Sequence, residues 1–424
     1  MRIVLFGLGH VGATMAACLA EAGRGEIFGI DTDPAVAAAV AQGRAPVREP
    51  GLDALLRRGV TAGRLAAATA PDDRLRETEC ALVCVATPAE PTGGGLDLSA
   101  LCDVTRQLGA AIRDRRRAAA PLLIVYRSTV PPGTTEGVLL PLLAEAAGEG
   151  PGQHYEVAFN PEFLRQGSAV ADFQRPARIV VGERWPGASR RLGGLYDHLT
   201  APLLEVPLAV AELAKLVDNG WHALKVAFAN EVGRACLASG LDPRAVTAVL
   251  LADAERNLGA GYLRPGGPYG GSCLPKDLAA LLAHAGMAEL SLPVLEGVGR
   301  SNALHLAWLA GRVRARLPPP GPVLQLGLSY KPGTDDLRRS PLLELARTLV
   351  VEGYELLLHD PDLTPARLRA AAGALGAAAR PSLAAALSPA SGVRLVLVGK
   401  PVPGLDALLP EGMPVLDMAG LAGF

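Results

Sequence analysis

With 424 residues, half of them hydrophobic and 4% aromatic, the chain can bury the cores of two or three domains and is too apolar for a disordered protein. Its 41 Lys and Arg against 42 Asp and Glu leave a formal net charge of -1, so there is no basic field to hold nucleic acid or an anionic membrane, and an anionic ligand must be met by local cations. Six scattered cysteines without C-x-x-C spacing or nearby histidines give no reason to expect a metal site and fit free thiols in a reducing compartment.

The chain opens on an apolar strand at residues 3–6 with glycines directly behind it, which leaves no room for a secretory signal, and no apolar run is long enough to span a bilayer. A cytoplasmic protein is expected. Further apolar runs at 27–30, 81–85, 122–125 and 157–159 alternate with helical stretches, the pattern of parallel strands joined by crossover helices. From Pro207 to about Gly240 one long helical run replaces this alternation and reads as a spine between two lobes. Pro318-Pro319-Pro320-Gly321-Pro322 then breaks the chain, since no helix or central strand carries such a run. A second α/β pattern follows, with candidate strands at 323–328, 355–358, 395–398 and 415–417 and a helix from about Pro341; the alanine-rich stretch 366–386 reads as helix and loop. The predicted fold is α/β: two Rossmann-like, doubly wound parallel-sheet domains joined by a long central helix, divided as 1–203, 204–317 and 318–424.

Gly7-Leu8-Gly9-His10-Val11-Gly12 sits between the first strand and a helical run, and Asp31 ends the second strand, as a dinucleotide fingerprint requires. One glycine makes the turn, the next lets the backbone approach a pyrophosphate, the third lets the helix pack closely, and the helix N-terminus offers unpaired N–H groups. Asp31 would accept from ribose hydroxyls and repel a 2'-phosphate, which favours NAD over NADP. Two more strand-end loops carry Thr87 and Thr129, where ligands bind in such sheets, although either threonine could equally cap a helix.

Gly270-Gly271-Ser272-Cys273-Leu274-Pro275-Lys276-Asp277 places a thiol in a polar, glycine-rich loop beside a cation and a carboxylate, a setting for a nucleophile more than for a core cysteine. On the long helix Lys215, Asn219, His222 and Asn230 share one narrow arc, with Leu213, Leu216, Val217, Leu224 and Phe228 opposite. An ordinary solvated face is one reading of that arc; an oxyanion site made of an ammonium and amides is the other. Asn160-Pro161-Glu162-Phe163-Leu164-Arg165-Gln166-Gly167 could present a carboxylate to a substrate or simply start a helix. Tyr330-Lys331-Pro332-Gly333-Thr334-Asp335-Asp336-Leu337-Arg338 puts two cations beside a turn, either a diphosphate clamp or an exposed loop. Basic residues are nearly all arginine; lysine stands only at 215, 225, 276, 331 and 400, either where a compact, movable ammonium is needed or by chance survival under a codon bias.

Taken together, FGLGHVG, REPGLDALL, VATP, RSTVPPGT, NPEFLRQG, KLVDNGWHALKVAFANEVG, YLRPGGPYGGSCLPKD, GLSYKPGTDDLRRSP and LDMAGL resemble, in order and spacing, the UDP-glucose/GDP-mannose dehydrogenase family. The resemblance implies an NAD-binding first domain, a central dimerisation segment carrying the cysteine loop, and a nucleotide-sugar-binding last domain. It implies that a sugar CH2OH is oxidised twice: Cys273 captures the aldehyde as a thiohemiacetal, a second oxidation gives a thioester, and water releases the acid. Lys215 and Asn219 would stabilise the oxyanions, Glu162 would assist proton transfer, and Thr129 and Asp277 would position water or the thiol. Cofactor contacts would fall to His10, Val11, Asp31, Thr87, Thr129, Lys276 and Arg338, and nucleotide-sugar contacts to Gln166, His222, Asn230, Tyr262, Arg264 and Lys331, with Arg264 reaching into the neighbouring subunit of a homodimer built on the long helix.

Within the family, the resemblance of the segments at 221–225, 262–266 and 335–338 implies GDP-mannose, oxidised at C6 to GDP-mannuronate, over UDP-glucose or a UDP-N-acetylhexosamine. Gln166 stands where members usually carry Glu, and Gly267-Pro268-Tyr269 replaces a more aromatic segment. Two readings of other classes compete: a non-catalytic nucleotide-sugar binder that keeps the fold, and a two-electron hydroxyacid-type dehydrogenase in which Cys273 is idle.

Overall fold

A computed structural model describes residues 1–420 apart from 92–93, 116–120, 153, 239, 254–264, 288, 290–291, 373–374 and 376–377. The chain forms two compact units, Met1–Asp218 and Asn219–Phe424, so the division passes through the long helix Leu208–Ala238.

The first unit is built on strands β1 (Arg2–Phe6), β2 (Glu26–Ile30), β3 (Leu65–Ala68), β4 (Cys80–Val83), β5 (Leu122–Tyr126), β6 (Tyr155–Phe159), β7 (Ile179–Glu183) and β8 (Leu203–Val206). They lie in the order β3-β2-β1-β4-β5-β6-β7-β8. β1, β4 and β5 are apolar and almost wholly buried because both faces of the sheet are covered: the helix His10–Glu21 packs on one face, the helix Ser99–Arg113 on the other. The five strands expected in this region are all present. β3, β7 and β8 were not expected; β3 is Leu-Ala-Ala-Ala, without the β-branched residues that announce a strand, and β8 is a largely exposed edge.

One pairing departs from the expected parallel sheet. β7 runs antiparallel to β6, with Phe159 opposite Gly182, while β8 is again parallel to β7. A parallel neighbour would need a crossover back along the sheet. The connection from β6 to β7 contains only the six-residue helix Ala169–Gln174, roughly 9 Å long, so the chain stays at the carboxyl edge and turns back. Asn160 fixes the return: its Nδ2 donates to the carbonyl of Val180 at 2.6 Å, and its Oδ1 accepts from Tyr196 and Arg127.

The second unit carries a four-stranded, all-parallel sheet in the order β10-β9-β11-β12: β9 (Pro322–Leu326), β10 (Glu355–His359), β11 (Leu395–Val398) and β12 (Val415–Asp417). The proline break separates it from the helix Pro293–Arg316, and Ser340, whose hydroxyl accepts from Leu343 N–H, caps the helix Pro341–Val351 that joins β9 to β10.

Both sheets contain the same turn. After β1, Gly7 adopts φ +87° and its N–H donates to Ile30; after β9, Gly327 adopts φ +94° and donates to His359, each at 2.8 Å. Leu8 N–H donates to Asp31 at the end of β2, and Leu328 N–H to Asp360 at the end of β10, each at 2.7 Å. Asp33 and Asp362 N–H complete the two aspartate turns.

Candidate active site

The first-unit turn fits a dinucleotide. An added Cβ on Gly12 would lie 1.8 Å from the Gly7 carbonyl oxygen, so close packing of helix on turn demands glycine there, whereas a Cβ on Gly9 would have no protein atom within 4 Å. Gly9 therefore leaves the backbone open to a ligand, directly before a helix whose first turn has no side-chain cap and whose second residue is Val11. Asp31 also braces the turn, taking Leu8 N–H on Oδ2 and Asp33 N–H on Oδ1. Thr87 donates to the carbonyl of Thr129 at 2.7 Å and Ser128 to that of Val85 at 2.7 Å, which ties the loops after β4 and β5 together.

His10 lies 2.8 Å from the buried carboxylate of Glu49, which also accepts the N–H groups of Gly167 and Ala169. Glu49 thus joins the glycine turn to the loop bearing Gln166. The motif at residues 48–56 does not by itself reveal this role, because the partners of Glu49 lie about 40 and 120 residues away in sequence.

Glu162 and Lys215 come together within the first unit: Nζ stands 2.8 Å from Oε1, both side chains are buried, and Oε2 accepts Leu164 N–H at 2.7 Å. Burial pushes the Glu162 carboxyl up, but Lys215, that N–H and the more distant Arg127 outweigh it and hold it below the usual carboxylate range. Glu162 is therefore a carboxylate at neutral pH. One helical turn before Lys215, the buried Glu212 accepts N–H groups of Gly133 and Thr135, holding the loop that follows Thr129.

Within the second unit, Cys273 is exposed at the start of the helix Leu274–Met287, and the Ser272 hydroxyl lies 3.6 Å from its sulfur. Gly271, at φ +86°, sits against the Tyr330 ring, where any Cβ would clash at 2.8 Å. Asp277, fully buried one turn into the helix, accepts from the Asn219 amide on Oδ2; its Oδ1 faces Lys276 Nζ at 3.0 Å but receives no well-aligned hydrogen bond. That acceptor is suited to a thiol or a water. Arg338 forks onto Asp336, and its charge is felt at Cys273. The expected polar arc of the long helix is thus an inward one: Lys215, Asn219 and Asn230 are buried and His222 half-buried, while Val217 and Phe228 on the opposite side are exposed.

Asn230 spans the loop before Cys273, accepting Gly266 N–H at 2.9 Å and donating to Gly267 O. His305, unremarked in the sequence, locks the same loop. Arg234 can only donate, so His305 Nδ1 accepts from it at 2.6 Å and Nε2–H donates to the Gly266 carbonyl at 2.7 Å. Burial, helped by Arg234, pushes its pKa down to about 4, leaving a neutral ring at physiological pH. Lys331 is half-buried beside the Tyr330 ring. Tyr262 and Arg264 lie outside the described residues.

Comparison with known proteins gives the family. The NAD binding, central and UDP binding domains of the UDP-glucose/GDP-mannose dehydrogenase family match residues 1–200, 209–304 and 324–400 in turn. The chain belongs to this family. Membership makes it an NAD-dependent nucleotide-sugar dehydrogenase with a nucleotide-sugar-binding domain, and sets aside the hydroxyacid-type reading. It is 39% identical to GDP-mannose 6-dehydrogenase of Azotobacter vinelandii over 99% of this chain and 97% of that one. To UDP-glucose 6-dehydrogenase of Pseudomonas aeruginosa it is 34% identical over 85% of this chain and 79% of that one. Among solved structures, a UDP-glucose dehydrogenase from Pyrobaculum islandicum matches with TM-score 0.90 at 33% identity, covering 100% of this chain and 95% of that one. A ternary complex of GDP-mannose dehydrogenase from Pseudomonas aeruginosa matches with TM-score 0.59 at 35% identity, covering 99% and 97%. Among the described residues no helix is long and apolar enough to cross a membrane.

Proposed function

We propose that this dehydrogenase oxidises GDP-mannose at C6 to GDP-mannuronate, releasing four electrons in two steps through a covalent bond to Cys273. NAD, when bound, accepts a hydride in each step. Between the steps the Cys273 sulfur adds to the C6 aldehyde, so the reactive carbonyl is never released; the second oxidation leaves a thioester, and water, adding as the sulfur departs, gives the carboxylate and restores the thiol. Lys215 and Asn219, one turn apart on the long helix, offer an ammonium and an amide to the developing oxyanions, Glu162 moves the proton, and Asp277 Oδ1 with Thr129 orients the thiol or the attacking water. The glycine turn, Asp31, Thr87, Thr129, Lys276 and Arg338 serve the cofactor, and Gln166, His222, Asn230, Tyr262, Arg264 and Lys331 the nucleotide sugar.

The observation that carries the choice of GDP-mannose is the 39% identity over nearly full length to an enzyme of that name, against 34% over a shorter span for the UDP-glucose enzyme. UDP-glucose is the second reading, favoured by the TM-score of 0.90 to the Pyrobaculum protein. Counting NADH per sugar on the purified chain with GDP-mannose, UDP-glucose and UDP-N-acetylhexosamines in parallel separates them: two NADH with GDP-mannose alone is expected, two with a UDP-sugar alone would transfer the mechanism to that sugar, and none with any would favour a binder. We further place the functional boundaries near 203 and 317 and the enzyme in the cytoplasm. A homodimer on the long helix is supported by the apolar stripe of Val210, Val217, Trp221 and Phe228, each 41–50% exposed in the single chain.

A further inference from the structure

Lys400 lies outside the motifs named above, two residues past β11, yet it is 1% exposed and is among the largest fully buried side chains. Its ammonium has three N–H bonds and three acceptors: Asp360 Oδ1 at 2.6 Å, Asp362 Oδ2 at 2.8 Å and Ser329 Oγ. Among the described residues, the matching turn of the first unit has no such cation. Cys84 N–H pairs with Phe6 there as Gly399 N–H pairs with Leu326 here, which makes uncharged Val85 the counterpart of Lys400.

We propose that Lys400 is a positioning residue for the nucleotide sugar: by neutralising Asp360 and Asp362 it lets them hold the main chain of residues 328–333 and so sets Lys331. This rests on the reading of Lys331 as a nucleotide-sugar contact. Asp360 accepts Leu328 and Ser329 N–H at 2.7 and 2.9 Å, Asp362 accepts Gly333 N–H at 3.0 Å, and the Ser329 hydroxyl lies 3.2 Å from the Lys331 carbonyl. Each of these anchors belongs to a group that Lys400 touches. Burial pushes the Asp360 carboxyl up, and Lys400 with the two N–H groups outweighs it and holds it down. Without the ammonium, two carboxylates on one loop, one fully buried, would have to share a proton or admit water, and either change loosens the anchors. The aspartate that the first unit can turn toward a ribose is thus consumed in the second by an internal cation, which moves ligand recognition to the braced loop.

The test is Lys400→Met in the full chain, read by hydrogen exchange and by steady-state kinetics. Amides at 328–333 should exchange at least about tenfold faster while those at 7–12 are unchanged. The KM for the nucleotide sugar should rise roughly tenfold with the KM for NAD within about twofold. A folded variant with unchanged exchange at 328–333, or with an unchanged nucleotide-sugar KM, would overturn the proposal. Should Lys400→Met not fold, Asp362→Asn, which leaves Lys400 with Asp360 and Ser329, is read the same way, with a KM increase of about threefold expected and an unchanged value overturning the idea. If the wild-type chain turned over no nucleotide sugar, the reading of its activity would fall, and exchange together with the Kd for GDP in wild type and variant would still decide the brace.

Discussion

Cys273 differs from the other cysteines in setting: Cys18, Cys80 and Cys84 have thiols pushed up to about 11 or 12 chiefly by burial and are inert packing, whereas Cys273 is exposed beside Ser272. Cys273→Ser should lower acid formation on the order of 10³-fold or more while leaving the Kd for the nucleotide sugar within about twofold, checked by mass spectrometry of the product and by calorimetry. Unchanged turnover would remove the covalent route. Glu162→Gln leaves the buried Lys215 ammonium without its carboxylate and should cost roughly 3 kcal/mol in denaturant titrations. Because the folded-state pKa of Glu162 is depressed, its contribution is complete above the ordinary value of about 4.3 and is lost as pH falls through the lower folded value. The gap between wild type and variant should therefore be constant near neutrality and shrink only in acid.

At the scale of elements, the glycine turn and the loop before Cys273 are both held by main-chain contacts that tolerate little change. Gly12→Ala drives a methyl into the Gly7 carbonyl, so the helix must move off the turn; a loss of at least about 3 kcal/mol in stability and of measurable NAD binding is expected, by melting and by fluorescence titration. The His305 lock predicts a pH effect of opposite origin to that of Glu162. Its folded pKa of about 4 lies below the 6.5 of the free side chain, so the unfolded chain binds the extra proton between those values and stability falls as pH drops through that window, by on the order of 3 kcal/mol in all. His305→Asn should be less stable at neutral pH and should lose that part of the slope; an identical slope would show that other groups carry it.

For the whole molecule, the long helix presents its polar residues inward and leaves Val210, Val217, Trp221 and Phe228 in one stripe outside. Replacing Val217 and Phe228 together by Asp should convert a dimer to monomer in light scattering at micromolar concentration, and activity should fall with it if Arg264 completes the neighbour's site. A wild-type monomer would remove that role from the helix.

The strand-turn-helix pattern, the long helix, the proline break and the second sheet were legible because each rests on local rules: alternating apolar runs, glycine where a Cβ would clash, proline where no helix can continue. The ordered motifs carried the family for the same reason, since their spacing is a property of the chain alone. Tertiary structure alone decided the antiparallel turn at β7, the direction in which the arc of the long helix faces, and the braces at Glu49, Glu212, His305 and Lys400. Glu49, Glu212 and His305 are buried groups held by main-chain groups distant in sequence, and Lys400 is a buried charge held by the distant side chains of Asp360, Asp362 and Ser329; no local pattern marks such partners, and only packing, which takes away water, makes those hydrogen bonds obligatory.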